Sequence, residues 1–399
     1  LAGCKPINRL KSTMATRFKF KKGTVLAALV AIAVGLLLSP ISRRYPLFHW
    51  VNLIFPSCTG LFPALTPHPW AYSFEELRST DLRGQNAIVT GGNSGIGFQI
   101  CRALSRQGAS VTMACRNPQR CFAAVDKIRK EDGYYSGAPI SPLIMDVSDL
   151  KSVQKAAKTY LHHNDGAPID MLFLNAGISD AEPEKGENQL PTSKDGIEKV
   201  FATNVVGHHL LYRLMESALQ KSTMARVVST SSVASIWWLQ PYGLPYYGSD
   251  TPSLIPSTLD KLNEGKPSFM KYTLSLYGRS KLAQVAWSKA LTRRLGDKSK
   301  IYVNAVHPGA VYTPMVNTFY FSSMPQFFMN ILSRLLWTVE EGALTGIYLG
   351  VATDKIRSKE VRGRYFHPQS VEFDHPHMKD EMLQENVWKL CEELVQNFI

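Results

Sequence analysis

From about residue 82 to its end, the sequence alternates short apolar runs with amphipathic stretches, and this alternation constrains the fold more than any other feature. Strands separated by helical patterns read as βαβ units, which build a parallel sheet covered by helices on both faces. Strands are predicted near 85–90 (QNAIVT), 109–114 (ASVTMA), 140–145 (ISPLIM), 169–174 (IDMLFL), 226–231 (RVVSTS) and 301–306 (IYVNAV), with a closing helix near 379–397. The expected fold class is α/β, a doubly wound parallel sheet forming a single domain over 80–399. One stretch, 236–272, breaks the rhythm with Pro, Gly, Ser and Tyr around PYGLPYYGSDTPSLIPS and reads as a long inserted loop. Loops of such length are usually functional or disordered.

The first predicted strand runs directly into TGGNSGIG, residues 90–97. Gly91, Gly95 and Gly97 permit a tight turn and close backbone approach, and the next helix offers free N–H groups and a positive dipole end to a pyrophosphate. Asn93, Ser94 and Ile96 complete that candidate cradle. The end of the second strand, where NAD-specific folds carry a carboxylate for the ribose 2′-hydroxyl, holds Cys115 and Arg116. A guanidinium suits a 2′-phosphate, so the expected cofactor is NADP(H). Further along, Tyr277 and Lys281 stand four residues apart, the spacing that sets an ammonium beside a phenol on one helix face. A nearby cation is expected to lower the phenol pKa toward working pH, as an acid–base catalyst requires.

With these motifs the chain resembles the short-chain dehydrogenase/reductase family over roughly 82–397, and the resemblance implies a Rossmann fold. The matches occur in order: Thr90, Gly91, Gly95 and Gly97; Asp146 and Val147; Asn175, Ala176 and Gly177; Asn204; Ser232; Tyr277 and Lys281; Pro308 and Gly309. It implies that Tyr277 exchanges the proton with a substrate oxygen, that Ser232 hydrogen-bonds that oxygen, and that Asn204 supports a water relay. Lys281 would also hold the nicotinamide ribose. In HPGAVYT, 307–313, Pro308 and Gly309 would pack on the nicotinamide, and Val311 and Thr313 would contact its carboxamide and the pyrophosphate. Asp146, Val147 and Asn175–Gly177 would complete the cofactor site. The stretches ACRN, TVEEGA and ENVWKLCEELV resemble the retinol dehydrogenase-like branch, whereas LNAGI and the long insertion resemble the 3-keto-sterol reductases. Two departures stand out. Leu174 replaces a common Asn, and Ser232 lies 45 residues before Tyr277, further than in compact members.

The net charge of +13 suggests nucleic acid or an anionic membrane until its location is considered. Nine basic and no acidic side chains lie within residues 1–74, which leaves the remainder nearly balanced, and no nucleic-acid partner is expected. Behind a basic segment, 1–22, residues 23–40 form an apolar run flanked by Lys19, Lys21, Lys22, Arg43 and Arg44. It reads as a membrane anchor or signal-anchor, with a cleaved signal or transit peptide as alternatives, and Met14 would set it where a signal-anchor belongs. Residues 41–79 read as an interfacial linker. The expected location is the endoplasmic reticulum membrane, or else a lipid droplet or mitochondrion. The six cysteines show no metal-ligand spacing and read as reduced, mostly buried thiols, and the His162/His163, His208/His209 and His375/His377 pairs give no reason to expect a metal.

The aromatic content of 236–272 and the apolar stretch 314–337 point to a hydrophobic substrate: a retinoid, sterol or fatty aldehyde. The expected activity is NADP(H)-dependent carbonyl reduction or alcohol oxidation. A reductase of small soluble carbonyls and a non-catalytic NADPH-binding assembly subunit are the alternatives. A homo-oligomer or larger complex is left open.

Overall fold

A computed structural model describes residues 71–131, 134, 137–179, 189–237, 254–264, 273–313 and 336–399. The expected anchor (23–40), most of the linker, residues 238–253 and 265–272 of the insertion and nearly all of 314–337 lie outside them. Among the described residues, no helix is long and apolar enough to cross a membrane.

Eight strands form one sheet in the order β3-β2-β1-β4-β5-β6-β7-β8. They are β1 Asn86–Thr90, β2 Ser110–Cys115, β3 Ile140–Ile144, β4 Met171–Leu174, β5 Ala225–Thr230, β6 Ile301–Val306, β7 Tyr365–His367 and β8 Val371–Glu372. The first seven run parallel, and β8 closes the edge antiparallel to β7. This is a Rossmann-like α/β fold. The inner strands are mostly apolar because helices cover both faces: every residue of β4 and β6 is buried. Edge strand β3 instead exposes Ser141 and Ile144.

Besides a 3₁₀ turn at Pro368–Ser370, the described helices are α1 Phe74–Ser79, α2 Gly95–Arg106, α3 Pro118–Arg129, α4 Leu150–His163, α5 from Lys199 to Gln220, α6 Ala234–Trp237, α7 Leu259–Asn263, α8 Thr273–Leu295, α9 Val339–Val351, α10 Thr353–Ser358 and α11 Glu381–Val395. One apolar cluster joins the sheet to α4, α5, α8 and α11 through residues such as Val153, Leu210, Leu282 and Val387. The other joins it to α2, α3 and α9 through Ile100, Val125 and Leu344. Local chemistry sets the helix starts. Asn117 caps α3 with Pro118 at its first position, and Thr338 and Glu341 form a reciprocal capping box on α9.

Two expectations need correction. Residues 71–79, read as linker, pack onto the domain: Tyr72 and Leu77 are buried in the second cluster, and the Ala71 N–H donates to the Gln369 carbonyl at 3.1 Å. Cys115 and Cys121, read as separate thiols, are joined in a disulfide between the end of β2 and α3. The chain doubles back there within six residues, so no CxxC spacing signals the pairing. Cys101 and Cys391 are free and buried.

Candidate active site

The glycine turn sits where β1 feeds α2, beside the point at which strand order reverses between β1 and β4. Gly91 and Gly95 adopt φ of +66° and +55°, a region that disfavours side chains. Gly97 is required for a different reason: a Cβ there would lie 2.4 Å from the Gly91 carbonyl oxygen and 2.6 Å from Asn175 Nδ2. Ser94 caps α2 without a side-chain hydrogen bond to its first turn. The Thr313 methyl lies 3.7 Å from where a Cβ on Gly95 would stand, which brings the end of HPGAVYT to the same turn.

Thr90 ties the turn to the end of β4. Its Oγ1 accepts from the N–H groups of Asn175 and Ala176, both at 2.9 Å, and Asn175 Nδ2 donates to the Thr90 carbonyl at 3.0 Å. Gly177 lies against the Asn204 side chain and Lys281 Nζ, so the Asn-Ala-Gly segment borders both halves of the site. Asp146 turns inward on its own loop, accepting from the N–H and hydroxyl of Ser148 at 2.9 and 2.7 Å. The Val147 carbonyl crowds Gly207 of α5. Arg116 is exposed just beyond β2, and among the described residues its guanidinium has no hydrogen-bond or ion-pair partner.

Asn204, Ser232, Tyr277 and Lys281 converge from α5, the end of β5 and α8. Asn204 lies in a π-turn, Ala202–Val206, inserted in α5. Such turns re-aim backbone groups within a helix and are frequent at functional sites. Its amide is fully engaged: Oδ1 accepts from the Ile178 N–H at 2.9 Å, while Nδ2 donates to the Ile178 carbonyl and Ser280 Oγ at 3.0 and 2.9 Å. Ser280 Oγ then donates to the Tyr277 carbonyl at 2.7 Å. The Tyr277 phenol hydrogen-bonds the Ser232 hydroxyl, and Lys281 Nζ lies 5.3 Å from the Tyr277 ring centroid.

The expected lowering of the phenol pKa does not hold here. Burial pushes Tyr277 up to about 12, only partly opposed by the Ser232 hydrogen bond, and burial draws Lys281 down to about 7. The Lys281 ammonium lies over the Tyr277 ring, and desolvation is the largest influence on the phenol.

Two residues outside the sequence motifs complete this cluster. Lys281 Nζ donates to the Thr230 carbonyl and to Gln284 Oε1, both at 2.8 Å, and Gln284 Nε2 donates to the Asn204 carbonyl at 3.0 Å. The amide of Gln284 therefore bridges the lysine to the π-turn. His208 Nδ1 lies 3.1 Å from that same carbonyl and its Nε2 lies 2.9 Å from Thr90 Oγ1. A carbonyl can only accept, so Nδ1 carries the proton, and burial lowers the imidazole pKa to about 4. Gln284 lies three residues after Lys281 and His208 four after Asn204, so helical spacing is the available signal for both. His208 is thus a hydrogen-bonded core residue. Among the described residues, no group of three or more His, Cys, Asp or Glu is arranged to hold a metal ion.

The turn of HPGAVYT is fixed by the segment that follows it. Gly309 adopts φ +91° against the Trp337 ring, Val311 pairs with Trp337, and Gly342 packs on Val311. The Pro308 carbonyl also borders Gly342.

Residues 85–249 match the short chain dehydrogenase family model. The chain is 32% identical over 326 residues to the chloroplastic short-chain dehydrogenase TIC 32 A of Brassica napus, covering 80% of this chain and 91% of that protein. It is 30% identical to retinol dehydrogenase 14 of Mus musculus over 79% of this chain and 86% of that one. Its fold is similar to that of L-sorbose reductase from Gluconobacter frateurii, solved with NADPH and L-sorbose, with a TM-score of 0.51, 16% identity, and coverage of 72% of this chain and 96% of that one. These relationships, together with the glycine turn and the Tyr277/Lys281 cluster, make the chain a dehydrogenase/reductase of the short-chain dehydrogenase family, whose fold binds a nicotinamide cofactor and acts on small-molecule substrates.

Proposed function

We propose that the protein is an NADP(H)-dependent oxidoreductase that interconverts a carbonyl and an alcohol on a hydrophobic substrate. The carrying observation is the convergence of Tyr277, Ser232, Lys281 and Asn204 beside a turn in which a Cβ at Gly97 would collide with backbone. That turn fits a pyrophosphate because its helix end is uncapped by side chains and its glycines allow close approach. Arg116, exposed at the end of β2 with no carboxylate bound to it among the described residues, favours a 2′-phosphate over a free ribose hydroxyl.

Carbonyl reduction adds a hydride to carbon and a proton to oxygen; the hydride is what the nicotinamide supplies when bound. The proton belongs to Tyr277. At about 12 its phenol is fully protonated at neutral pH, the correct form for an acid, and its hydrogen bond to Ser232 supports a shared role of both hydroxyls at one substrate oxygen. Lys281, near 7, can hold or release a proton in the same range, and Gln284 fixes it against Asn204. Gly91, Asn93, Ser94, Gly95, Ile96, Gly97, Asn175–Gly177 and Thr313 would line the cofactor site, with Asp146 and Val147 at its rim.

Support for an apolar substrate comes from 314–337, whose end at Trp337 is buried against Gly309 and Val311. Membrane attachment through 23–40 would deliver such a substrate and remains a reading of the sequence; loss of membrane partitioning on deleting residues 1–70 tests it. The experiment for function assays purified protein in detergent with NADPH or NADH against retinoid, sterol and fatty carbonyls beside small soluble ones. Preference for NADPH and for the apolar set is expected. Turnover confined to soluble carbonyls rejects the substrate class, and NADPH binding without turnover makes the protein a nucleotide-binding subunit.

A further inference from the structure

A second polar chain leaves Ser232 and enters residues 373–378, a segment outside every motif. His375 is wholly buried, its ring edge-on to Tyr365 at 5.2 Å. The His377 N–H lies 3.2 Å from His375 Nδ1 and can only donate, so Nδ1 is the acceptor. On the other side His375 Nε2 lies 3.0 Å from Ser235 Oγ. That hydroxyl also lies 2.7 Å from the Ser232 carbonyl, which can only accept. The single hydroxyl proton of Ser235 is committed to Ser232, so Ser235 Oγ must accept from His375, and Nε2 must carry a proton.

Every direction in the chain is therefore fixed: His377 N–H to His375, His375 to Ser235, and Ser235 to the Ser232 carbonyl. Burial, reinforced by the neighbouring rings of His377 and His367, holds the His375 pKa well below its usual value, so the neutral ring is the form present. The Ser235 N–H donates to the same Ser232 carbonyl at 3.0 Å, and the Ala234 N–H donates to Ser232 Oγ at 3.2 Å. Ser232 is thus held by its own turn, and that turn is held by His375.

We propose that His375 is a positioning residue for Ser232, acting through Ser235 to keep the serine hydroxyl aimed at Tyr277. The proposal rests on the roles given above to Ser232 and Tyr277. It makes the position of the imidazole proton, rather than the bulk of the ring, the property that matters.

The test compares His375→Ala, His375→Gln, His375→Asn and Ser235→Ala in the full chain, measuring kcat, the carbonyl KM and NADPH affinity by fluorescence. Gln offers an amide donor near the Nε2 position, whereas Asn offers an acceptor near Nδ1. His375→Ala and Ser235→Ala should each lower kcat about tenfold with NADPH affinity unchanged, and the double variant should be no worse than either. His375→Gln should restore most of the rate and His375→Asn should not. Wild-type kcat in Ser235→Ala, restoration by Asn in place of Gln, or additive losses would overturn the proposal. Ser235→Ala removes one hydroxyl and decides the matter even if the His375 variants fold poorly. If Ser232→Ala lowers kcat while the His375 and Ser235 variants do not, this proposal alone falls. If the wild type turns over no carbonyl, the reading of Ser232 fails and the proposal falls with it.

Discussion

The two halves of the candidate site are built by opposite means. At the β1–α2 turn the design is one of missing atoms: Gly97 leaves no room for a Cβ, and Gly91 and Gly95 take backbone angles that side chains disfavour. Around Tyr277 the design is one of completed hydrogen bonds: Asn204, Gln284, Lys281 and His208 each find named partners within a buried cluster. The first half should therefore fail by collision and the second by leaving a polar group unpaired. Different substitutions expose each.

The largest effect on stability should come from Gly97→Ala. Its methyl group meets backbone and the Asn175 amide rather than a flexible side-chain end, so overpacking should cost about 1–3 kcal/mol of stability. NADPH affinity should fall with it, and denaturant melts with nucleotide titration check both. Unchanged melts would refute collision as the limiting feature. Arg116→Ala removes no packing and should leave stability intact while raising the NADPH KM about tenfold or more, the loss of charge-assisted hydrogen bonds, with NADH little affected. Equal effects on both cofactors would remove the basis for NADP(H).

In the polar half, Gln284→Leu keeps bulk but takes an acceptor from Lys281 and a donor from Asn204. A fall in kcat of about tenfold is expected, with the NADPH KM held. Removing a hydrogen bond to the charged form should also lower the Lys281 pKa further, moving the corresponding limb of the pH–rate profile to lower pH. A profile that stays in place would show that Gln284 does not hold the lysine.

The smallest effect lies outside both halves, where Glu392 receives His209 and Arg213. Burial would raise this carboxyl, but the hydrogen bonds from those two partners prevail and bring it to about 2 from an ordinary 4.5. A depressed acid contributes stability above its unfolded pKa and loses it as pH falls through the folded one. Glu392→Gln should thus lower Tm modestly at neutral pH, and the gap from wild type should close between about 4.5 and 2. A gap that persists in acid would mean the carboxylate charge is not what matters.

The same contrast governs what is legible in the sequence. All six predicted strands lie within a residue or two of β1–β6, because strands buried on both faces leave continuous apolar runs. β7 and β8 are not legible, being three and two residues long with only a single 3₁₀ turn, Pro368–Ser370, between them. The glycine turn can be read because glycine is itself the signal. The polar half can be read only where a fixed spacing marks it, as for Tyr277 and Lys281. Gln284 and His208 stand at helical spacing from Lys281 and Asn204, but their other partners, like that of His375, are distant in sequence, and the π-turn at Asn204 leaves no compositional trace. The phenol pKa runs opposite to the expectation because helical spacing gives proximity but not burial.

The most direct test of the central claim follows a label. Protein is incubated with NADPH carrying deuterium at the transferable C4 position and with apolar carbonyl substrates, and the alcohol product is analysed by mass spectrometry. The account predicts one carbon-bound deuterium per NADPH consumed, and a loss of rate of about 10²- to 10⁴-fold in Tyr277→Phe with NADPH binding retained. Deuterium transfer at an undiminished rate in Tyr277→Phe, or tight NADPH binding with no transfer to any carbonyl offered, would contradict it.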